Sequence, residues 1–275
     1  MSITVSKLTK EISGIEIYFE EYKNQNANNT FVLLHGFLSS TFSFRRLIPL
    51  LNKDNNVVSI DIPPFGQSGK HPRYQYSYQN LAKMVINLIS SLGYSSIYLI
   101  GHSMGGQISL NVMLQKPNLV KKGVLLCSSG YLNPSKRSLK LLSFLPFFHH
   151  CVKYYLEKSG VRKNVETVVF DRSIIDEEML KGYEQPFLDK QIFRGLTRMI
   201  RDREGDLSVE QLHQITTPCL LIWGEHDRVV PLSIGKRLTK DLPHAQLIVL
   251  KDAGHLISEE NAEEVFQHID KFIHE

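Results

Sequence analysis

The chain has 275 residues, 42% hydrophobic and 22% charged, with a net charge of +4. A chain of this length buries a sizeable core without disulfides or metal. Its composition excludes disorder, collagen and coiled coil, and its charge is too mild to argue for nucleic acid.

The elements follow in order. Residues 3–10 and 15–22 read as a hairpin turning near Ser13-Gly14. Phe31 to Leu34 is a short apolar strand stopped by His35-Gly36, and Val57 to Ile60 is another stopped by Asp61 and Pro63-Pro64. Leu81, Val85, Leu88, Ile89 and Leu92 recur at helical spacing and end at Gly93. Ile97 to Ile100 predicts a buried strand, 104–115 a helix ended by Pro117, and Val124 to Cys127 the next strand. Strands resume at Cys219 to Trp223 and Gln246 to Leu250, and an amphipathic helix is expected from Ser258. Short apolar strands separated by helices specify an α/β fold, with a mostly parallel sheet covered on both faces.

Residues 128–218 interrupt this alternation with 91 residues, where a crossover needs only about 10–12. Helical patterns run from Leu139 to Leu156, Asp176 to Gly182 and Asp189 to Met199. We expect a core of residues 1–130 and 211–275, with 131–210 inserted as a helical cap (lid). The cap would lie over the carboxyl ends of the strands, where open α/β sheets bind ligands.

Gly101-His102-Ser103-Met104-Gly105 matches G-x-S-x-G between a strand and a helix. The serine sits in a sharp turn, and the flanking glycines let backbone approach closely. The helix start beneath it presents unpaired N–H groups and a positive dipole end. The Met104 N–H is therefore a candidate oxyanion donor. His102, inside the elbow, is expected to pack beside the site and, with Phe37, to neighbour the substrate.

Five motifs carry a resemblance: Leu34-His35-Gly36-Phe37, Asp61-Ile62-Pro63-Pro64-Phe65-Gly66-Gln67-Ser68, the elbow, Gly224-Glu225-His226-Asp227 and Asp252-Ala253-Gly254-His255. In this order they resemble the α/β-hydrolase superfamily, over roughly residues 15–130 and 210–275. Within it the chain is similar to small bacterial capped hydrolases: esterases, carbon–carbon bond hydrolases and cofactor-free haloperoxidases.

The resemblance implies a Ser103–His255–Asp227 triad. Serine needs a base, and histidine is the usual one. Of eleven histidines, His255 follows both nucleophile and acid on a loop past the last strand. Asp227 occupies the family's acid position, with Glu225 its nearest rival. The second oxyanion donor falls, by resemblance, to the Phe37 N–H. Serine at 103 sets the chain apart from relatives with an aspartate there, the dehalogenases and epoxide hydrolases. The expectation is a serine hydrolase of carboxylic esters of small to medium apolar acids. The alternatives are a carbon–carbon bond hydrolase and a small-molecule receptor on the same fold.

No cofactor and no metal are expected. The three cysteines, Cys127, Cys151 and Cys219, lack zinc-type spacing, and His149-His150-Cys151 has no distant partner. Without an apolar leader, and with cysteine usage that fits a reducing compartment, we expect a cytoplasmic location and no membrane span.

Residues 131–163 carry seven lysines and arginines against one acid, Glu157, among many leucines and aromatics. Three readings compete. A cap helix buries its apolar face while lysines meet water. The segment touches an anionic membrane surface weakly. Or the charge steers acidic or amphiphilic substrates.

Overall fold

A computed structural model describes residues 3–27, 29–158 and 160–275. Eight strands form one sheet. They are β1 (Ile3–Ile12), β2 (Ile15–Asn24), β3 (Thr30–Leu34), β4 (Asn56–Ile60), β5 (Ile97–His102), β6 (Val120–Leu126), β7 (Cys219–Gly224) and β8 (Ala245–Leu250). Their order is β1-β2-β4-β3-β5-β6-β7-β8. The β1–β2 and β2–β4 pairs are antiparallel and all others parallel.

The strand runs explain this. Every residue of β3, β5 and β7 is buried, as strands with helices on both faces require. The edge strand β8 is apolar in sequence yet half exposed. In the β1–β2 turn, Ser13 and Gly14 both have positive φ, the two-residue turn whose twist matches the strands.

The helix Tyr78–Ser91 starts at Ser77, whose side chain accepts from Asn80 N, and it buries Leu81, Val85, Leu88 and Ile89. The helix Met104–Gln115 lies under the sheet with ten residues buried. The predicted C-terminal helix is two, Ile257–Glu260 and Ala262–His274, because Asn261 leaves helical geometry. The helix Leu232–Asp241 was not anticipated; it buries only Gly235 and Leu238, too faint a stripe to read.

Between β6 and β7 the chain forms helices Arg137–Leu142, Phe148–Glu157, Val161–Val168, Glu177–Leu188, Ile192–Asp202 and Val209–Leu212. The run expected from Leu139 to Leu156 is broken. Pro146 lies in the break, and Phe147 takes a left-handed φ of 65°, so the chain turns outward. Asp176 caps the next helix by accepting from Met179 N at 2.7 Å, with Glu177 and Glu178 complementing its dipole. Ile192, Phe193, Leu196 and Met199 join the main core. Val165, Val169, Met179, Tyr183 and Leu256 form a second, smaller one.

The basic stretch only partly buries its apolar side chains. Val152 and Leu156 pack against the core, whereas Leu141, Phe144, Leu145, Phe147 and Tyr154 are exposed. Among the described residues, no helix is long and apolar enough to cross a membrane.

Candidate active site

Ser103 stands where β5 meets the helix Met104–Gln115, with φ 53° and ψ −117°. A non-glycine residue pays for that conformation in strain, so its surroundings must hold it. Three backbone bonds do so. Ser103 N–H donates to Leu126 O at 2.9 Å, and Ser103 O accepts from Gly106 N at 2.9 Å and Ser129 N at 3.0 Å. The first of these reaches the neighbouring strand β6, so the parallel ladder itself fixes the elbow.

Asp227 follows β7 and is buried. Its Oδ1 accepts from Val229 N and Val230 N, both at 2.8 Å. Its Oδ2 accepts from His255 Nδ1 at 2.7 Å. Those amides aim the carboxylate, and the carboxylate in turn fixes the imidazole, leaving Nε2 as the basic nitrogen. Glu225, the rival acid, is exposed.

His255 is also held from other sides. Its N–H donates to Val168 O at 2.7 Å, and its carbonyl accepts from His102 Nε2 at 2.8 Å. The His102 and His255 ring centres are 4.7 Å apart. Thus His255 and Asp227 are joined directly, and Ser103 is brought to them through its neighbour His102. No hydrogen bond links the Ser103 hydroxyl to His255, a looseness common before substrate binds.

Phe37 and Ser103 both line a cavity of about 790 Å³. Neither the Phe37 nor the Met104 amide hydrogen is taken by another described group. The cavity wall is mainly apolar, with Leu139, Val152, Leu196 and Met199 from the insertion opposite Val230 and Ile234 from the core. His102 was expected to neighbour the substrate. It does not line the cavity; it is buried beneath His255 and spends Nε2 on that residue's carbonyl.

Burial pushes the His102 imidazole down to about 3 and that of His35 down to about 4. His35 is built in as a neutral ring, donating from Nδ1 to Gly36 O and accepting Ile62 N–H at Nε2. Both values lie below the ~6.5 of a free imidazole. Each ring therefore stabilises the fold above that pH, and its contribution is lost as pH falls towards 4 for His35 and 3 for His102. In histidine ring NMR spectra at about pH 5 these two should still show neutral shifts. An imidazolium signal from either would contradict the geometry.

Three features were invisible in the sequence. Asp61 looked like a turn residue, and it does accept from Thr41 N and Gln67 N, both at 2.7 Å; burial still lifts its carboxyl to about 6. Glu260 accepts from Gly254 N, Phe170 N and Asp171 N. It thereby pins the end of one insertion helix to the His255 loop. Cys127 closes a predicted strand, and its sulfur lies within 4.8 Å of ligand atoms on Asp227 and His255. Burial, then the Asp227 charge, push that thiol well up. The one available signal was its position at the end of a strand, but only strand order shows which ends are adjacent.

A family model for the α/β-hydrolase fold matches residues 29–262. The chain is 52% identical over 262 residues to the hydrolase YugF of Bacillus subtilis (strain 168), spanning 95% of this chain and 96% of that one. It is 27% identical over 267 residues to a 2-hydroxy-6-oxononadienedioate/2-hydroxy-6-oxononatrienedioate hydrolase of Burkholderia vietnamiensis, covering 91% and 88%. Among solved structures, the 2-hydroxy-6-oxo-6-phenylhexa-2,4-dienoate hydrolase from Rhodococcus superposes with a TM-score of 0.82 at 23% identity, covering 100% of both chains. A thermophilic esterase from Thermogutta terrifontis superposes at 0.78 with 21% identity, covering 98% of both. These two likenesses are of fold. With the family model spanning most of the chain and a named hydrolase sharing half its residues, the chain belongs to the α/β-hydrolase family and is a hydrolase.

Proposed function

We propose that this hydrolase is a serine carboxylesterase acting on esters of apolar acids through an acyl-enzyme. The observation that carries the proposal is the 2.7 Å His255–Asp227 bond set behind a strained serine elbow that opens into an apolar cavity. Ser103 Oγ attacks the carbonyl carbon while His255 Nε2 takes its proton. Asp227 holds the ring and stabilises the imidazolium. The Phe37 and Met104 amides receive the oxyanion, each donor contributing about 3 kcal/mol to barrier lowering. The alcohol leaves with the proton from His255, and water, activated by the same nitrogen, releases the acid. Residues 131–210 act as the cap, because they supply much of the cavity wall.

The test is a panel of p-nitrophenyl esters of graded chain length. Each CH₂ buried contributes about 0.8 kcal/mol, so kcat/KM should climb about fourfold per carbon until the cavity is filled, then fall. The proposal fails if no ester turns over and a fluorophosphonate probe leaves Ser103 unlabelled. Slow turnover with retained product would instead favour a receptor.

One observation favours carbon–carbon bond hydrolysis. Arg203 lines the cavity, and its buried Nε has no hydrogen-bond partner among the described residues. A carboxylate-bearing diketone-like acid would find a cation there. Turnover of such an acid above that of every ester would decide for this second chemistry.

A further inference from the structure

The turn between the helices Arg137–Leu142 and Phe148–Glu157 inverts the usual rule of burial. Leu141, Leu142, Phe144, Leu145 and Phe147 are 71%, 48%, 66%, 56% and 69% exposed. Ser143, the polar residue among them, is fully buried. Scattered exposed apolar residues are ordinary, but five within seven positions form a patch of the kind that marks an interaction surface. The turn is built this way. Arg201 Nε donates to Ser143 Oγ at 2.9 Å, a second Arg201 nitrogen donates to Ser143 O, and the guanidinium lies 4.3 Å from the Phe144 ring centre. The arginine draws the serine inward and so presents the leucines and phenylalanines to solvent.

None of these five side chains lines the large cavity, although Leu139 and Phe148, at the two ends of the same stretch, do. A separate cleft of about 260 Å³ sits against the turn. Leu145, Phe147 and His149 form one part of it, and Arg194, Arg198 and Arg201 another. Arg198 is engaged by Asp202 at 2.8 Å. Arg194 has no carboxylate partner among the described residues. The surrounding stretch, 131–163, adds its seven basic residues against Glu157.

We propose that the Leu141–Phe147 turn and the adjacent arginine cleft form a docking face for an anionic phospholipid bilayer. The apolar side chains enter the headgroup–acyl boundary, and Arg194 with the basic residues of 131–163 meets the lipid phosphates. Charge selects this occupant over a second copy of the chain. A two-fold self-contact would set the same patch against itself, with basic surface facing basic surface. A bilayer of anionic lipids offers the complementary sign and a liquid apolar phase. Docked in this way, the stretch that carries the turn would hold the cavity wall at Leu139 and Phe148 close to the lipid. Resting on the esterase reading, this names the substrate class as acyl esters that partition into membranes.

Vesicle flotation tests the docking apart from catalysis. The full-length protein, and equally Ser103→Ala, should float with vesicles of equimolar phosphatidylglycerol and phosphatidylcholine, and stay behind with phosphatidylcholine alone. Binding should weaken as salt is raised. Phe144→Ser with Phe147→Ser should lower partitioning about a hundredfold, and Arg194→Gln about fivefold. Neither variant touches the proposed triad, so circular dichroism and turnover of a soluble short-chain ester should stay at wild-type values. Three results would overturn the proposal: no flotation of wild type on anionic vesicles, equal flotation of the double-serine variant, or a concentration-dependent dimer that the double-serine variant abolishes. Flotation without ester turnover would leave the docking standing and remove the substrate class.

Discussion

Ser103→Ala should lower ester kcat about a million-fold, as loss of the nucleophile does where a triad acts as a unit. KM should stay near wild type, because the apolar side chains of the cavity wall are untouched. Asp227→Asn should cost about ten-thousand-fold. The physical reason lies in the hydrogen-bond census. Asp227 Oδ1 already accepts from two backbone amides. An asparagine would keep its oxygen there and turn its NH₂ towards His255 Nδ1. The imidazole would then have to accept at Nδ1 and carry its proton on Nε2, the tautomer that cannot receive the serine proton. Steady-state rates per mole of purified protein check both variants, and unchanged near-UV circular dichroism excludes unfolding. If Ser103→Ala retained more than about one part in a thousand of wild-type activity, the acyl-enzyme mechanism would be wrong, since that much exceeds the residual left by binding and an oxyanion hole alone.

Gly105→Ala should destabilise the whole fold. A Cβ at 105 would stand 2.0 Å from Leu34 O and 2.7 Å from His35 O. Both are backbone atoms at the end of β3, so no side-chain rotation relieves the clash. Either the helix Met104–Gln115 retreats or β3 shifts, and both lie in the core. We expect a loss of about 3 kcal/mol or more, a fall in Tm of about 6–12 °C for a chain of this size. Gly93→Ala is the informative contrast. Its φ is 85° but a Cβ there would meet nothing within 4 Å, so only the left-handed backbone cost of about 1 kcal/mol applies. Thermal melts of the two proteins side by side should differ clearly. Equal melts would mean that the elbow tolerates a retreat of the helix, and with it displacement of the Met104 amide.

Much of this architecture is written in short stretches of the chain. The helix Met104–Gln115 has the predicted bounds, and β3, β4, β5 and β7 fall where short, mainly apolar runs stand between turn residues. Such elements are legible because burial on both faces selects mainly apolar residues, and because Gly93 and Pro117 punctuate them. The break at Phe147 and the split at Asn261 are less legible, since apolar periodicity continues across both. Ser103, Asp227 and His255 could be nominated by motif and chain order. That His102 supports His255 from below could not, because the contact spans 153 positions.

By itself the sequence determined which residues could do chemistry and in what local geometry: a serine between glycines at a strand-to-helix turn, an acid after one strand, a histidine after the next. These depend on neighbours within a few positions, and local sterics decide them. Only the tertiary structure decided what meets what. The order β5-β6-β7-β8 sets the ends of separate strands side by side. It thereby brings Cys127 to the Asp227–His255 pair, while the packing of the insertion helix Val161–Val168 brings Val168 O to the His255 amide. The same holds for the insertion. Its composition announced charge and apolar residues together, but which of them face the cavity, the core or the solvent was set by packing against helices more than fifty residues away, such as the hold of Arg201 on Ser143.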